Sequence, residues 1–288
     1  MRIVHLTDLH FQCRPKLSEL VHFKRFIGAI NLYALGRKSK FDISVQRSVI
    51  AAAIAQDPDY VIITGDLTAL SLDEEFEIAK RELTPLLEKC PAVIVAGNHD
   101  LYASREPPAI MKRLFGQWMG ENSPHLHETD EFCTLSFETS IFDFLSRGGF
   151  KDSDLDKSAE LLKRAGDRFV FMATHYPIWN RRGGLYGPWT RAVKKGNILA
   201  EWLKTQPVDA LLHGHEHHGF QKTIQTEQGG LTIYNPGSSG YNIDLQRDRR
   251  AHFNVYTVEN KTLTNLERFR YTPDGFEPEP GGPYASGR

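Results

Sequence analysis

Five stretches of this 288-residue chain end an apolar run on side chains that can bind metal. RIVHLTDLH leads to Asp8 and His10, YVIITGDL to Asp66, and AVIVAGNHD to Asn98, His99 and Asp100. RFVFMATHYP leads to His175, and VDALLHGHEHH to His213, His215, His217 and His218. Oxygen and imidazole donors suit divalent cations, and a shared carboxylate holds two of them about 3.5–4 Å apart, a spacing that clamps a phosphoryl group. Asp8 and His10, like His215 and His217, alternate by two, so each pair can aim at one point from an extended segment. Gly65 allows a sharp turn just before Asp66.

Strands must position these residues. An apolar, β-branched run bounded by glycine reads as a strand covered on both faces, as in parallel α/β sheets, where ligands bind at the carboxyl ends. The five runs are therefore expected at one edge of a sheet. Helical patterns lie between them. FDISVQRSVIAAAIAQDPD has Asp42 as N-cap and Pro58 as stop, and SLDEEFEIAKRELTPLLEKC opens with a capping-box-like Ser71 to Glu74 pair. Strand, helix, strand, helix, strand implies parallel neighbours joined by crossovers. Further helices are expected in DSDLDKSAELLKRAG and RAVKKGNILAEWLKTQ, and antiparallel strands in GGLTIYNPGSSG, RAHFNVYTVEN and KTLTNLERFRY. The fold class expected is α/β, as a four-layer α/β/β/α sandwich. It forms a single domain over residues 1–272 with a basic, apolar helical insert at about 14–40. Residues 273–288, rich in Pro and Gly, are expected to be a disordered tail.

With 40% hydrophobic and 25% charged residues and a net charge of −1, the composition is that of a soluble globular protein, and no specific nucleic-acid partner is expected. No apolar leader or run of about 18 apolar residues is present, and Cys13, Cys90 and Cys133 suggest no disulfide framework. The expected compartment is the cytoplasm, with membrane association on its inner face as a further option.

Together the DLH, GDL, GNHD, THYP and GHEH blocks resemble the calcineurin-like metallophosphoesterase family. The likeness runs from Asp8 to the NPGS of Asn235 to Ser238. It implies the four-layer sandwich and two divalent metal ions, manganese foremost among Mn, Fe, Zn, Mg and Co. By the same resemblance Asp8, His10 and His217 hold one ion, Asn98, His175 and His215 the other, and Asp66 bridges. The implied reaction is hydrolysis of a phosphodiester or pyrophosphate bond by a metal-bridging hydroxide. His99 then stabilises a phosphoryl oxygen or protonates the leaving alkoxide, and Asp100 either orients His99 or caps a turn. His213 and His218 are surplus, and His5 reads as a core residue.

Two stretches bear on the substrate. Residues 14–40 carry Arg14, Lys16, Lys24, Arg25, Arg37, Lys38 and Lys40 against the single acid Glu19, interleaved with apolar residues from Leu17 to Leu35. Such a helix either lies on an anionic membrane or covers a lipid-like substrate, or else packs on the domain. Its KRFIGAINL segment is loosely similar to that of calcineurin-like enzymes that cleave UDP-2,3-diacylglucosamine, which points to a lipid-linked nucleotide as substrate. The second stretch, THYPIWNRRGGLYGPWTRAVKKG, offers Arg181, Arg182, Arg191, Lys194 and Lys195 with Trp179, Tyr186 and Trp189 for phosphate and ring contacts, and Tyr102 is a further pocket candidate. The alternatives are a soluble general or cyclic-nucleotide phosphodiesterase and a non-catalytic scaffold. A complete set of competent ligands argues against the scaffold.

Overall fold

The computed structural model describes every residue except Ala34, Leu35, Ala103, Arg105, Glu121 and residues 286–288. Three parallel strands, β1 (Arg2–Leu6), β2 (Tyr60–Ile63) and β3 (Ala92–Ile94), form half of one sheet. The other half is antiparallel: β10 (His252–Glu259), β11 (Thr262–Thr272) and β12 (Gly275–Pro278) complete the order β12-β11-β10-β1-β2-β3. The second sheet runs β4-β5-β6-β7-β9-β8, built from β4 (His125–Glu128), β5 (Phe132–Ser136), β6 (Phe169–Ala173), β7 (Ala210–Leu212), β8 (Phe220–Thr226) and β9 (Gly229–Asn235).

Side chains alternate across a strand, and here the alternation sorts them into three apolar layers. Ile3 and Ile62 point between the sheets, where they meet Phe171, Leu212 and Tyr256. Val4, Leu6, Val61 and Ile63 point the other way, onto α2 (Ile43–Ala55), α3 (Asp73–Leu87) and α4 (Ala109–Met119). On the far side Leu135, Met172 and Leu211 pack against α5 (Asp152–Leu162) and α6 (Gly196–Thr205). This is the four-layer sandwich. Each fully buried Leu, Ile or Phe contributes about 1.5–3 kcal/mol, so the middle layer locks the two sheets face to face.

Four expectations change. The five apolar runs are all strands, but β1 to β3 belong to one sheet and β6 and β7 to the other, so the site lies between two sheet edges and not on one. A doubly covered strand reads the same in either sheet, which is why the pattern could not separate them. The cap of α3 is shifted by one residue: Glu75, not Glu74, accepts the backbone N–H of Leu72 and of Leu70, while Ser71 Oγ donates to the Asp100 carbonyl. The tail is ordered through Ala285. β12 pairs with β11, and Glu279 meets Arg268 at 2.7 Å with both side chains fully buried. A buried guanidinium without its carboxylate costs about 3–5 kcal/mol, which ties the Pro/Gly-rich segment down despite its composition. The helix of the insert, α1 (Phe23–Tyr33), packs through Gly28, Ala29 and Leu32, while most of its large apolar residues, among them Phe26, Ile27 and Ile30, are exposed. Leu35 of the insert lies outside the described residues.

Candidate metal centre

The ligand-type residues sit on the turns that leave five strands. Asp8 and His10 follow β1, Asp66 follows β2, Asn98 and His99 follow β3, His175 follows β6, and His215 and His217 follow β7. Backbone hydrogen bonds lace these turns together. Asp8 N–H donates to Gly65 O at 3.0 Å, His10 N–H to Asp66 O at 2.9 Å, and Gly214 N–H to His175 O at 3.1 Å. The two sheets are joined here by His215 N–H donating to Asp8 Oδ2 at 3.0 Å.

Strain concentrates at the same place. Asp8, His10, Asp66, His215 and His217 all adopt positive φ, between 51° and 71°. Asp and His tolerate this region better than most residues, yet each such residue still costs about 1 kcal/mol or more. Two glycines allow the turns to close up. A Cβ on Gly97 would stand 2.1 Å from both Asp66 N and Asp66 Oδ1, and Gly65 has φ +89 with Gly97 N only 2.6 Å from where its Cβ would lie. The glycines of GDL and GNHD are therefore spacers that let Asp66 point into the site.

The side chains converge on two adjoining points. At the first, donor atoms of Asp8, His10, Asp66 and His217 all lie within 4.8 Å of one another; His217 Nε2 is 3.2 Å from Asp8 Oδ1 and 3.0 Å from His10 Nε2. At the second, Asn98 Oδ1 lies 3.1 Å from His175 Nε2 and 2.8 Å from His215 Nδ1. Asp66 Oδ2 stands between them, 3.6 Å from His10 Nε2 and 3.5 Å from His175 Nε2. Its other oxygen accepts the His99 backbone N–H at 2.7 Å.

The protonation pattern fits cations at both points. Nδ1 of His10 faces the Thr68 carbonyl at 3.2 Å, and Nδ1 of His175 the Thr64 carbonyl at 2.8 Å. A carbonyl only accepts, so each Nδ1 carries a proton, and in the neutral ring it is Nε2 that has the lone pair facing Asp66. Burial, then His175, holds His215 well below the usual histidine range, so it is a neutral donor. Burial pushes the Asp8 carboxyl up, but His217 beside it outweighs this and keeps Asp8 below its ordinary value. Lone pairs and carboxylates packed this closely with little exposure repel one another unless a cation is shared.

A cavity of about 380 Å³ opens over these residues, lined by Asp66, Asn98, His99, Tyr102, His215 and His217. His99 Nδ1 donates to the Ala69 carbonyl at 2.7 Å, which leaves Nε2 as the nitrogen turned to the cavity. Tyr102 stacks on its ring at 4.9 Å. Asp100, in contrast, does not orient His99. Its carboxylate accepts from Gly97 N, Leu67 N, Thr68 N and Thr68 Oγ1, tying the GNHD turn to the segment after Asp66. The turn-cap alternative describes it.

The cationic rim also differs from the sequence reading. Arg181 and Arg182 are exposed and do not line the cavity; Arg191 and Lys40 do, with Arg249 and Glu216, which no motif or spacing had singled out. Lys194 and Lys195 are engaged with Asp143 and Asp152, and Trp179 is buried against the second sheet's outer layer. His213 is buried beside the Gly214 carbonyl, His218 meets Arg249, and His5 is a core residue between Thr64 and Tyr256. Burial raises the Glu216 carboxyl to about 7, which no spacing pattern could have signalled.

Comparison with known proteins agrees with this geometry. Residues 1–219 match the calcineurin-like phosphoesterase family. The chain belongs to that family, whose members are metal-dependent phosphoric ester hydrolases. Among individual relatives it is 30% identical, over 68% of its own length and 69% of the other's, to a probable glycerophosphodiester phosphodiesterase GpdQ of Arcobacter nitrofigilis. It is 24% identical to the glycerophosphodiester phosphodiesterase GpdQ of Enterobacter lignolyticus over 62% of its length, spanning 57% of that protein. In three dimensions it is similar to purple acid phosphatase PPD1 from yellow lupin (Lupinus luteus) seeds, with a TM-score of 0.57 and 15% identity over 96% of this chain and 52% of that one. The chain thus spans about half the length of the plant protein. It also resembles TT1561 of Thermus thermophilus, with a TM-score of 0.52 and 11% identity over 92% and 97% of the two chains. Among the described residues no helix is long and apolar enough to cross a membrane.

Proposed function

We propose that this protein hydrolyses a phosphodiester or pyrophosphate bond with two divalent cations, manganese foremost. Asp8, His10, Asp66 and His217 would hold one, and Asp66, Asn98, His175 and His215 the other. The observation that carries this is the position of Asp66 Oδ2 between His10 Nε2 and His175 Nε2 at 3.6 and 3.5 Å, the place of a shared oxygen. When bound, the cations supply charge neutralisation and an activated water for attack on phosphorus.

The rest falls to the chain's own residues. His99, with Nδ1–H donating to the Ala69 carbonyl and its ring held by Tyr102, presents Nε2 to the cavity. In the imidazolium form, with a proton on both nitrogens, Nε2 would stabilise a phosphoryl oxygen or hand its proton to the leaving group. Arg191, Arg249 and Lys40 supply positive charge for the remaining phosphate oxygens. Two substrate classes are supported by separate observations. The exposed apolar face of α1 favours a lipid-linked nucleotide such as UDP-2,3-diacylglucosamine, and the two GpdQ relatives favour a small soluble phosphodiester.

The deciding experiment is manganese-supplemented turnover of bis(p-nitrophenyl) phosphate, glycerophosphocholine, cyclic AMP and UDP-2,3-diacylglucosamine, with Asp66→Asn as the blank. Turnover lost in the variant supports the shared-carboxylate site; wild-type turnover in the variant sinks it. Which substrates are cleaved separates the lipid-linked reading from the soluble one.

A further inference from the structure

The surface beside the cavity is apolar over a long stretch. Leu17 and Val21, in the turn before α1, are 89% and 83% exposed, and Phe23, Phe26, Ile27 and Ile30 continue along the helix. A second segment joins them: Phe144 is 62% exposed and stacks on Phe23 at 5.9 Å with the rings only 5° from parallel. The join is held from beneath. Lys24 donates to the Asp143 carbonyl at 2.9 Å, and its ammonium lies 5.0 Å from the Tyr102 ring and 5.5 Å from the Phe142 ring. Leu145, next in this segment, lines the cavity, and Tyr102 stacks on His99. The apolar surface is therefore continuous with the mouth of the site.

Phe23, Phe26, Ile27 and Ile30 of α1 are exposed where Leu32 is buried, and monomeric proteins rarely leave a contiguous apolar patch of this kind uncovered. Its charge says what covers it. Between positions 14 and 40 there are seven Lys or Arg residues and one acid, Glu19, whose carboxylate accepts the Lys16 backbone N–H at 2.6 Å. Of the seven, Lys24 and Arg25 are tied to the Asp143 and Leu70 carbonyls and Lys40 lines the cavity. Arg14, Lys16 and Lys38 are exposed, and the Lys38 ammonium lies over the Tyr33 ring, whose hydroxyl donates to the Cys13 carbonyl next to Arg14 at 2.7 Å. A two-fold dimer through this face would set the basic set against itself.

We infer that residues 14–33 and 142–145 form a docking surface for an anionic lipid bilayer, with Leu17, Val21, Phe23, Phe26, Ile27, Ile30 and Phe144 entering the interface. The bilayer then lies at the rim of the catalytic cavity, so the surface serves a substrate whose phosphoester stands close to a membrane. This deepens the lipid-linked reading and rests on it for the substrate, though not for the binding itself.

The test is co-sedimentation of the full chain with vesicles of phosphatidylglycerol and phosphatidylethanolamine, and separately of phosphatidylcholine alone. Hydrolysis of bis(p-nitrophenyl) phosphate is followed in parallel. The protein is expected to pellet with the anionic vesicles and to be released by salt. Phe26→Ser/Ile27→Ser/Ile30→Ser and, separately, Arg14→Glu/Lys16→Glu/Lys38→Glu are expected to lower partitioning at least about 100-fold, at roughly five-fold per charge for the latter. Turnover of the soluble ester should be unchanged in both. Failure of the wild type to pellet, or undiminished pelleting of either variant, overturns the inference. So does a concentration-dependent dimer in analytical ultracentrifugation that the triple Ser variant abolishes. Vesicle binding with no turnover of bis(p-nitrophenyl) phosphate, glycerophosphocholine, cyclic AMP or UDP-2,3-diacylglucosamine would leave the docking surface standing and remove the hydrolase reading.

Discussion

Replacing Gly97 by Ala tests the site through one methyl group. The added Cβ would lie 2.1 Å from Asp66 Oδ1 and 2.1 Å from Asp66 N, against the roughly 3.5 Å of a relaxed contact. Backbone on both sides holds the turn: Gly97 N–H donates to Asp100 Oδ2, and His99 N–H to Asp66 Oδ1. Relief must come from moving Asp66 or the GNHD turn by about 1.4 Å. Displacement of that size costs about 100-fold in rate where a reaction depends on position, and overpacking costs about 1–3 kcal/mol of stability. Gly97→Ala is therefore expected to lower manganese-dependent turnover of bis(p-nitrophenyl) phosphate about 100-fold. Bound metal should fall in elemental analysis, and melting should occur a few degrees lower. Gly116→Ala is the control. That glycine lies in α4 with nothing within 4 Å of an added Cβ, so the same substitution should stabilise by about 0.5–1 kcal/mol and leave turnover alone. Wild-type turnover by Gly97→Ala, or an equal loss in Gly116→Ala, would refute the reasoning that the glycine is there to make room for Asp66.

The other predictions follow from individual hydrogen bonds. His99→Ala should lower turnover about 100- to 10,000-fold, because a positioned proton donor is lost, with metal content unchanged; loss of metal would mark His99 as a ligand. Glu75 is buried, and burial pushes its carboxyl from 4.5 to about 8 against the N–H donors of Leu70 and Leu72. The folded chain thus binds this proton more tightly than the unfolded one, so its contribution is present below about pH 4.5 and lost as pH rises toward 8. Urea unfolding at pH 5.5 and 8.5 should show a smaller loss of stability for Glu75→Gln than for the wild type. An equal loss would show that Glu75 does not titrate in this window.

Much of the fold and of the ligand set is legible in local sequence. The apolar runs ending at Leu6, Ile63, Ile94, Ala173 and Leu212 are strands because such residues fill a doubly covered pleat, and Gly65, Gly97 and Gly214 mark where the chain turns after three of them. Asp42 caps α2 as its type and place require, accepting Ser44 N–H at 2.8 Å. That the runs end on Asp, Asn and His side chains is read from the residues; the choice of Asp8, His10, Asp66, Asn98, His175, His215 and His217 among them, over His99, His213 and His218, comes from the family resemblance. Distances between them were not legible, nor was their division between two sheets, since both depend on the packing of Ile3, Ile62, Phe171 and Leu212 in the middle layer.

The remaining decisions belong to the tertiary structure. Asp100 follows His99 in sequence, yet its carboxylate is claimed by the Leu67–Thr68 segment, 32 or more residues earlier. Arg181 and Arg182 follow a metal-type histidine but stay at the surface, while Arg249, distant in sequence, reaches the cavity. A Pro/Gly-rich tail is held by the pairing of β12 with β11 and by Glu279, which neutralises a guanidinium that β11 buries. The sequence by itself determined the kinds of atoms available and the strands that end beside them, since both follow from side-chain type and a period of two. Which atoms meet, and which of them are left facing solvent, depended on contacts between residues far apart in the chain, and only the packed sheets fix those.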